Sequence, residues 1–137
     1  MPAVVAGYAD ADAVSLGAVY STESAIAQAS DQVTMSQSGY ADVPGLTINL
    51  SLARPSGVIQ IAQVDFKGTA WQTFGVQIAC DSNTRKVTRA PRYSTYWQHL
   101  FLMWHWASLA AGSHTFKVQC TAGTIRNRKN ILLVMRI

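Results

Sequence analysis

Three histidines, two cysteines and two basic stretches are the side chains of this sequence most able to do chemistry, and their spacing restricts what chemistry that is. His99 and His105 share strand parity, so both can point toward a common axis, where copies of the chain would form a metal-binding ring. No carboxylate stands near them in sequence to orient either ring. An interface histidine or a hydrogen-bonded core histidine answers the pattern better. Cys80 and Cys120 are too few for a disulfide framework and have no His or Cys at metal-ligand spacing. Each falls on the apolar face of a predicted strand, which reads as a buried free thiol; a single disulfide joining the two strands is the alternative. The sequence has no G-x-S-x-G, no P-loop and no dinucleotide fingerprint, and no acid follows Asp81 to complete a pair of carboxylates. The expectation is a chain with no catalytic residue, no resident metal and no cofactor.

The basic stretches are Arg85-Lys86-Val87-Thr88-Arg89-Ala90-Pro91-Arg92 and Arg126-Asn127-Arg128-Lys129. Tyr93, Tyr96 and Trp97 follow the first. Cations interleaved with aromatics suit phosphates, but no nucleic-acid-binding motif accompanies them, and docking to an acidic protein surface ranks higher. A sugar site is the stronger rival. Ser82, Asn83, Arg85, Arg89, Arg92, Tyr93 and Tyr96 supply hydroxyl, amide and guanidinium hydrogen-bonders beside aromatic platforms, and form the candidate contact set for a glycan or an acidic partner. An Asx-type turn at Asp81-Ser82-Asn83 followed by interface aromatics is the competing structural reading.

These residues need a scaffold, and its size and composition are restrictive. The chain has 137 residues, one domain's worth; 49% are hydrophobic and only 13% charged, against about a quarter charged in an ordinary soluble domain. So little charge implies that part of the surface is covered by a partner. The formal charge of +4 conceals an asymmetry: residues 1–84 hold all seven acids against Arg54 and Lys67, net −5, whereas residues 85–137 hold nine bases and no acid, net +9. Either the halves attract one another across subunits or the basic part meets an acidic partner. No apolar run approaches the roughly 20 residues that span a bilayer, and the N-terminus lacks the basic-then-apolar pattern of a signal peptide. Both features point to a soluble protein made in the cytoplasm, without a membrane partner.

Residues 1–32 are rich in Ala, Ser, Asp and Val without a sustained period, and read as an extended or flexible arm, with at most a helical turn near Ser24–Gln32. From Val33 onward, short β-branched and aromatic runs between turn signals predict about eight strands. They fall near Val33–Ser36, Leu46–Leu52, Val58–Lys67, Phe74–Asp81, Arg85–Arg89, Trp97–Ala107, His114–Ala122 and Ile131–Ile137. The second, fourth and seventh alternate cleanly between apolar and polar, as strands of a sheet with one wet face do. The sixth and eighth have two apolar faces: Leu100, Leu102, Trp104 and Trp106 oppose Phe101 and Met103, and Ile131, Leu133, Met135 and Ile137 oppose Leu132 and Val134. A two-layer sandwich has one inside, so the second face must be covered from outside, most economically by another copy of the chain. Phe101, Met103, His105, Leu132 and Val134 are the expected interface residues.

Two stretches, Ser38-Gly39-Tyr40-Ala41-Asp42-Val43-Pro44-Gly45-Leu46 and Ala111-Gly112-Ser113-His114-Thr115-Phe116-Lys117-Val118-Gln119, resemble recurring patterns of tumour-necrosis-factor-like jelly rolls, including those of phage virion and tail-associated proteins and some bacterial lectins. The resemblance covers roughly Val33–Ile137. It implies a fold: an all-β, two-sheet antiparallel jelly-roll sandwich, a homotrimer in which the sixth and eighth strands belong to an inner sheet around a threefold axis. The expectation that follows is a non-enzymatic structural protein of a tailed-phage virion or related particle. Its jelly-roll trimerisation domain over 33–137 would decorate the capsid or cap a tail appendage, with the arm over 1–32 docking on a capsid or tail protein. The alternative is a trimeric carbohydrate-binding module.

Overall fold

Alternation of apolar and polar side chains governs nearly every segment of the chain that the structure describes. The computed structural model describes residues 23–68, 74–89, 97–126 and 130–137, with backbone alone at Gly68, Phe74 and 87–89. Ten strands account for them: β1 (Ser24–Ala29), β2 (Val33–Met35), β3 (Ala41–Leu52), β4 (Ser56–Gly68), β5 (Phe74–Cys80), β6 (Asn83–Arg89), β7 (Gln98–Leu109), β8 (Gly112–Cys120), β9 (Gly123–Ile125) and β10 (Asn130–Arg136).

They form two antiparallel sheets, a jelly-roll sandwich. One sheet has the order β3-β8-β5-β6. The other is built around the 13-residue β4: β10 and β9 share one edge of it, β7 runs along the opposite edge, and β1 and β2 extend the sheet beyond β10 and β9. The three cleanly alternating strands of the sequence (in β3, β5 and β8) share the four-stranded sheet, and the two doubly apolar strands (β7 and β10) share the six-stranded one, as expected. Leu46, Ile48, Leu50 and Leu52 face inward from β3, with Thr47, Asn49 and Ser51 exposed between them. β5 departs from the pattern, because its outward residues are also covered. Gly75 lies beneath the Tyr40 side chain, and Gln77 Nε2 donates to Gln119 Oε1 at 2.6 Å.

Phe66, Phe116, Leu46, Ile78, Leu132 and Val43 are fully buried between the sheets; each such side chain contributes about 1.5–3 kcal/mol of transfer free energy. Three polar groups in this core bridge separate strands. Gln60, on an inward position of β4, reaches across to the other sheet, donating from Nε2 to Lys117 O (3.1 Å) and Ala79 O (3.3 Å), while its Oε1 accepts from Trp106 Nε1 (2.9 Å). Arg136 Nε meets Glu23 Oε2 at 2.9 Å in a buried ion pair, and Glu23 Oε1 accepts from Ala53 N. Asn130 Oδ1 accepts from Asp65 N, and its Nδ2 donates to Arg126 O.

Three expectations need correction. Residues 24–29, placed in the arm and given at most a helical turn, form a sheet strand paired with β10, because Ala25, Ala27 and Ala29 pack against the core; residues 1–22 lie outside the described residues. The strand expected to begin near Leu46 begins at Ala41, because Pro44-Gly45 is a bulge inside the 12-residue β3, where the register shifts between Asp42 and Thr47 and Gly45 takes φ +82°. Leu132 and Val134 are core residues, both fully buried. With both faces of β10 apolar, parity could not say which one faces in. The register decides it, and Ile131, Leu133, Met135 and Ile137 face out instead.

The outward face of the six-stranded sheet is therefore apolar across four strands. Ile26, Leu133, Ile61 and Met103 stand in one row; Ile131 and Phe101 lie in the row on one side, Met135, Ile59 and His105 in the row on the other. Phe101, Met103, Ile26 and Ile137 are each at least half exposed. Phe101, Met103 and His105 thus point outward from this sheet, on the face opposite Leu102 and Trp106.

Candidate functional site: a cation and indole cleft at the open edge

The two long sides of the sandwich are finished differently. On one, β1 packs over β3, and Gly45 comes so close that a Cβ there would lie 3.1 Å from Ala29 Cβ. On the other, β6 and β7 are both edge strands: among the described residues β6 pairs with β5 alone and β7 with β4 alone. Register with β5 sets Arg85 opposite Ile78, an inward position. A charge on that position is tolerated because the seam between the sheets opens there.

Arg85 closes the seam by stacking. Its guanidinium carbon lies 4.3 Å from the Trp104 ring centroid and 5.9 Å from that of Trp106, and the two indoles meet edge to face with centroids 6.4 Å apart. Trp106 is held from behind by Gln60. Trp104 remains 39% exposed at the lip. A cleft of about 340 Å³ opens beside this stack, lined by Ile78, Arg85, Lys86 and the β7 segment Phe101–Trp104.

A second indole–cation cluster sits at the other end of β7. Lys67 Nζ and Arg126 lie 4.9 and 5.0 Å from the Trp97 ring centroid. His99 Nδ1 pairs there with Asp65 Oδ1 across the β4–β7 ladder. Sequence reasoning found no carboxylate for His99 because its partner is 34 positions away in the chain.

At the β5–β6 hairpin, Asp81 takes φ +53°. Its Oδ1 accepts from Thr115 N at 2.9 Å and its Oδ2 meets His114 Nδ1 at 2.7 Å, while His114 Nε2 lies 2.7 Å from Ala110 O. The Ala110 carbonyl and the Asp81 carboxylate raise the His114 pKa above its ordinary value. Burial alone would raise the Asp81 carboxyl, but the Thr115 N–H and His114 outweigh it and hold it below the ordinary value. Cys80 completes a Cys, Asp and His group whose ligand atoms all lie within 4.8 Å of one another. Burial pushes its thiol up to about 12, and Asp81 adds to the shift. With an acceptor at each ring nitrogen, an imidazolium satisfies His114, and the group is a hydrogen-bonded brace between the hairpin and β8. Both cysteines are buried and free, as expected.

The ion pairs Glu23–Arg136, Asp42–Lys117, Asp65–His99 and Asp81–His114 each join an acid of the N-terminal half to a base of the C-terminal half within one chain. Part of the charge asymmetry is thus satisfied inside the fold.

Of the candidate contact set, Arg85 lines the cleft. Ser82 and Asn83 are exposed at the β5–β6 hairpin and do not line it. The Arg89 side chain, Arg92, Tyr93 and Tyr96 lie outside the described residues. Sequence reasoning missed Lys86 and Trp104 as cleft residues: Trp104 shares parity with the core residues Leu102 and Trp106. The sequence signal nearest to them was Arg85, which adjoins Lys86 and already belonged to the candidate contact set.

No family model and no curated protein matches this chain. Solved structures with distant similarity include the CBM35 from Cellvibrio japonicus Abf62, at 8% identity over 80% of this chain and 91% of that one, with a TM-score of 0.40. A native family 35 carbohydrate binding module from Clostridium thermocellum matches at 14% identity over 85% and 93%, with a TM-score of 0.36. A cycloisomaltooligosaccharide glucanotransferase from Paenibacillus sp. matches at 16% identity over 85% of this chain but only 17% of its own, with a TM-score of 0.34. Similarity this distant bears on neither ligand nor activity.

Proposed function

We propose that this domain is a non-catalytic carbohydrate-binding module. The observation that carries the reading is the open cleft at the β6–β7 edge, where a guanidinium over Trp104 stands beside Lys86 on an apolar wall of Ile78 and Leu102. A pyranose offers an apolar C–H face and a ring of hydroxyls. Small-ligand sites of this size are largely apolar, with a few fixed donors that set orientation. No acid lines the cleft among the described residues, so the paired carboxylates of glycoside hydrolysis are missing from it. The test is a glycan array followed by titration calorimetry. The wild-type chain should bind a subset of saccharides with Kd between about 1 μM and 1 mM, and Arg85→Ala should abolish it; failure of every saccharide to bind refutes the reading.

A second reading is structural, and the apolar outer face of the six-stranded sheet favours it. Its exposed apolar side chains amount to on the order of 600 Å², at the upper end of what monomers expose and most of the roughly 800 Å² per partner of a standard interface. With little charge on the face to choose a different partner, a second copy of the chain is its natural occupant. In this reading the domain is a homotrimer in a virion or similar particle, attached by the residues that precede β1 to a capsid or tail protein. Light scattering should give three chains per particle, and Met103→Asp, at a side chain already 60% exposed, should dissociate it. A wild-type monomer would end this reading without touching the first. The two are compatible, since assembly would present several clefts at once and raise avidity.

A further inference from the structure

Both charged groups that line the cleft are cations, and nothing described neutralises them. Glu23 is tied to Arg136, Asp42 to Lys117, Asp65 to His99 and Asp81 to His114. Asp31 lies with Gln28, Pro44 and Gly45 on the opposite, β1–β3 side of the sandwich. Residues 90–96, which connect the two strands lining the cleft, add Arg92 and no acid to the chain, and no acid occurs anywhere after Asp81. The uncompensated charge faces a wall of Ile78, Leu102 and Trp104, and an apolar wall strengthens the field that such charges project into a cleft.

The Arg85 stack also sets the geometry of recognition. The Arg85 guanidinium carbon stands over the Trp104 ring, and its N–H donors form a planar fork whose hydrogen bond among the described residues is a long contact from Nη1 to Thr84 O at 3.4 Å. That fork matches two oxygens of a carboxylate or sulfate.

We infer that the ligand is an acidic saccharide. One carboxylate or sulfate on the sugar accepts from the Arg85 fork, Lys86 adds its charge, and the C–H face of the ring packs on the exposed edge of Trp104. The inference rests on the carbohydrate reading above and narrows it to one ligand class. A single cleft of about 340 Å³ suits one or a few sugar units, whereas a nucleic acid strand would require a groove with successive stacking platforms.

The experiment is calorimetry on the full chain at low and high salt, with four probes of matched length: a carboxylated oligosaccharide (hyaluronan fragments), a sulfated one (heparin fragments), a neutral one (cello-oligosaccharides) and oligo-dT. At least one acidic saccharide should bind tenfold or more tighter than the neutral one, and salt should weaken it. Comparing hyaluronan with heparin tells carboxylate from sulfate recognition. Arg85→Lys, which keeps the charge but loses the fork, should cost roughly tenfold or more. Lys86→Gln, at an exposed side chain, should weaken binding less while leaving the thermal midpoint unchanged. Equal binding of neutral and acidic sugars overturns this inference and leaves the carbohydrate reading standing. Binding to no sugar overturns both, and tighter binding of oligo-dT than of any sugar overturns the inference in favour of nucleic acid.

Discussion

Gln60 connects the fold to the cleft, and replacing it is the most informative perturbation. Its side chain is fully buried and makes three hydrogen bonds: two to carbonyls of the opposite sheet and one from the Trp106 indole. Gln60→Met keeps the length and apolar volume of the side chain and removes all three. The two bonds to carbonyls are worth about 1 kcal/mol each, and the stranded, buried Trp106 N–H costs a further ~1–3 kcal/mol. The expected destabilisation is about 3–5 kcal/mol, offset in part by burying a thioether in place of an amide. Urea denaturation followed by tryptophan fluorescence reads it as a fall in midpoint at constant slope. The companion variant Trp106→Phe removes the donor, so the double variant should be less destabilised than the sum of the singles by about 1–3 kcal/mol, the penalty of the stranded N–H. Saccharide affinity of Gln60→Met should also fall under conditions where it remains folded, because Trp106 backs the Arg85 stack. A loss below about 1 kcal/mol, or strict additivity in the double variant, would refute the claim that this glutamine clamps the sheets and positions the indole.

Three further outcomes follow from the geometry. Glu23→Gln leaves the Arg136 charge buried without its carboxylate and should cost about 3–5 kcal/mol, while the apolar double variant Glu23→Leu/Arg136→Met recovers most of it; denaturant midpoints decide. The brace between Asp81 and His114 should make stability pH-dependent: the raised His114 pKa contributes stability that is complete below the ordinary histidine value of 6.5 and lost as pH rises through the higher folded value. The lowered Asp81 pKa contributes stability above the ordinary aspartate value that is lost as pH falls through its folded value. The thermal midpoint difference between wild type and His114→Gln should therefore be largest between the ordinary aspartate and histidine values and shrink as pH rises above the latter, a trend whose reversal would refute the assigned brace. Gly45→Ala, at φ +82° and against Ala29 Cβ, should cost ~1–3 kcal/mol, measured the same way.

The alternation in β3 and β8 was enough to assign their faces, because a wet side and a dry side differ in side-chain chemistry at every step. The doubly apolar strands were legible as a pair for the same reason, and both fell in one sheet. Which face of β10 turned inward was not legible, since Leu132 and Leu133 are the same residue type and only pairing with β4 and β1 distinguishes them. Ser24–Ala29 looked like an arm because alanine and serine carry no strand signal of their own. The strand exists because β10 offers it an edge and the core takes its methyl groups.

The sequence by itself determined an all-β sandwich with one sheet apolar on both sides, a charge asymmetry and a basic, aromatic candidate region, since these are properties of composition and period 2. The tertiary structure alone decided the cleft. Arg85 and Trp104 belong to edge strands of different sheets, and the stacking of a cation on an indole depends on register and sheet packing, which no local pattern encodes. For the same reason Glu23, Asp42, Asp65 and Asp81 proved to be engaged elsewhere. Their partners lie across ladders and turns, so that the cations left over at the β6–β7 edge emerge only when the whole chain is folded.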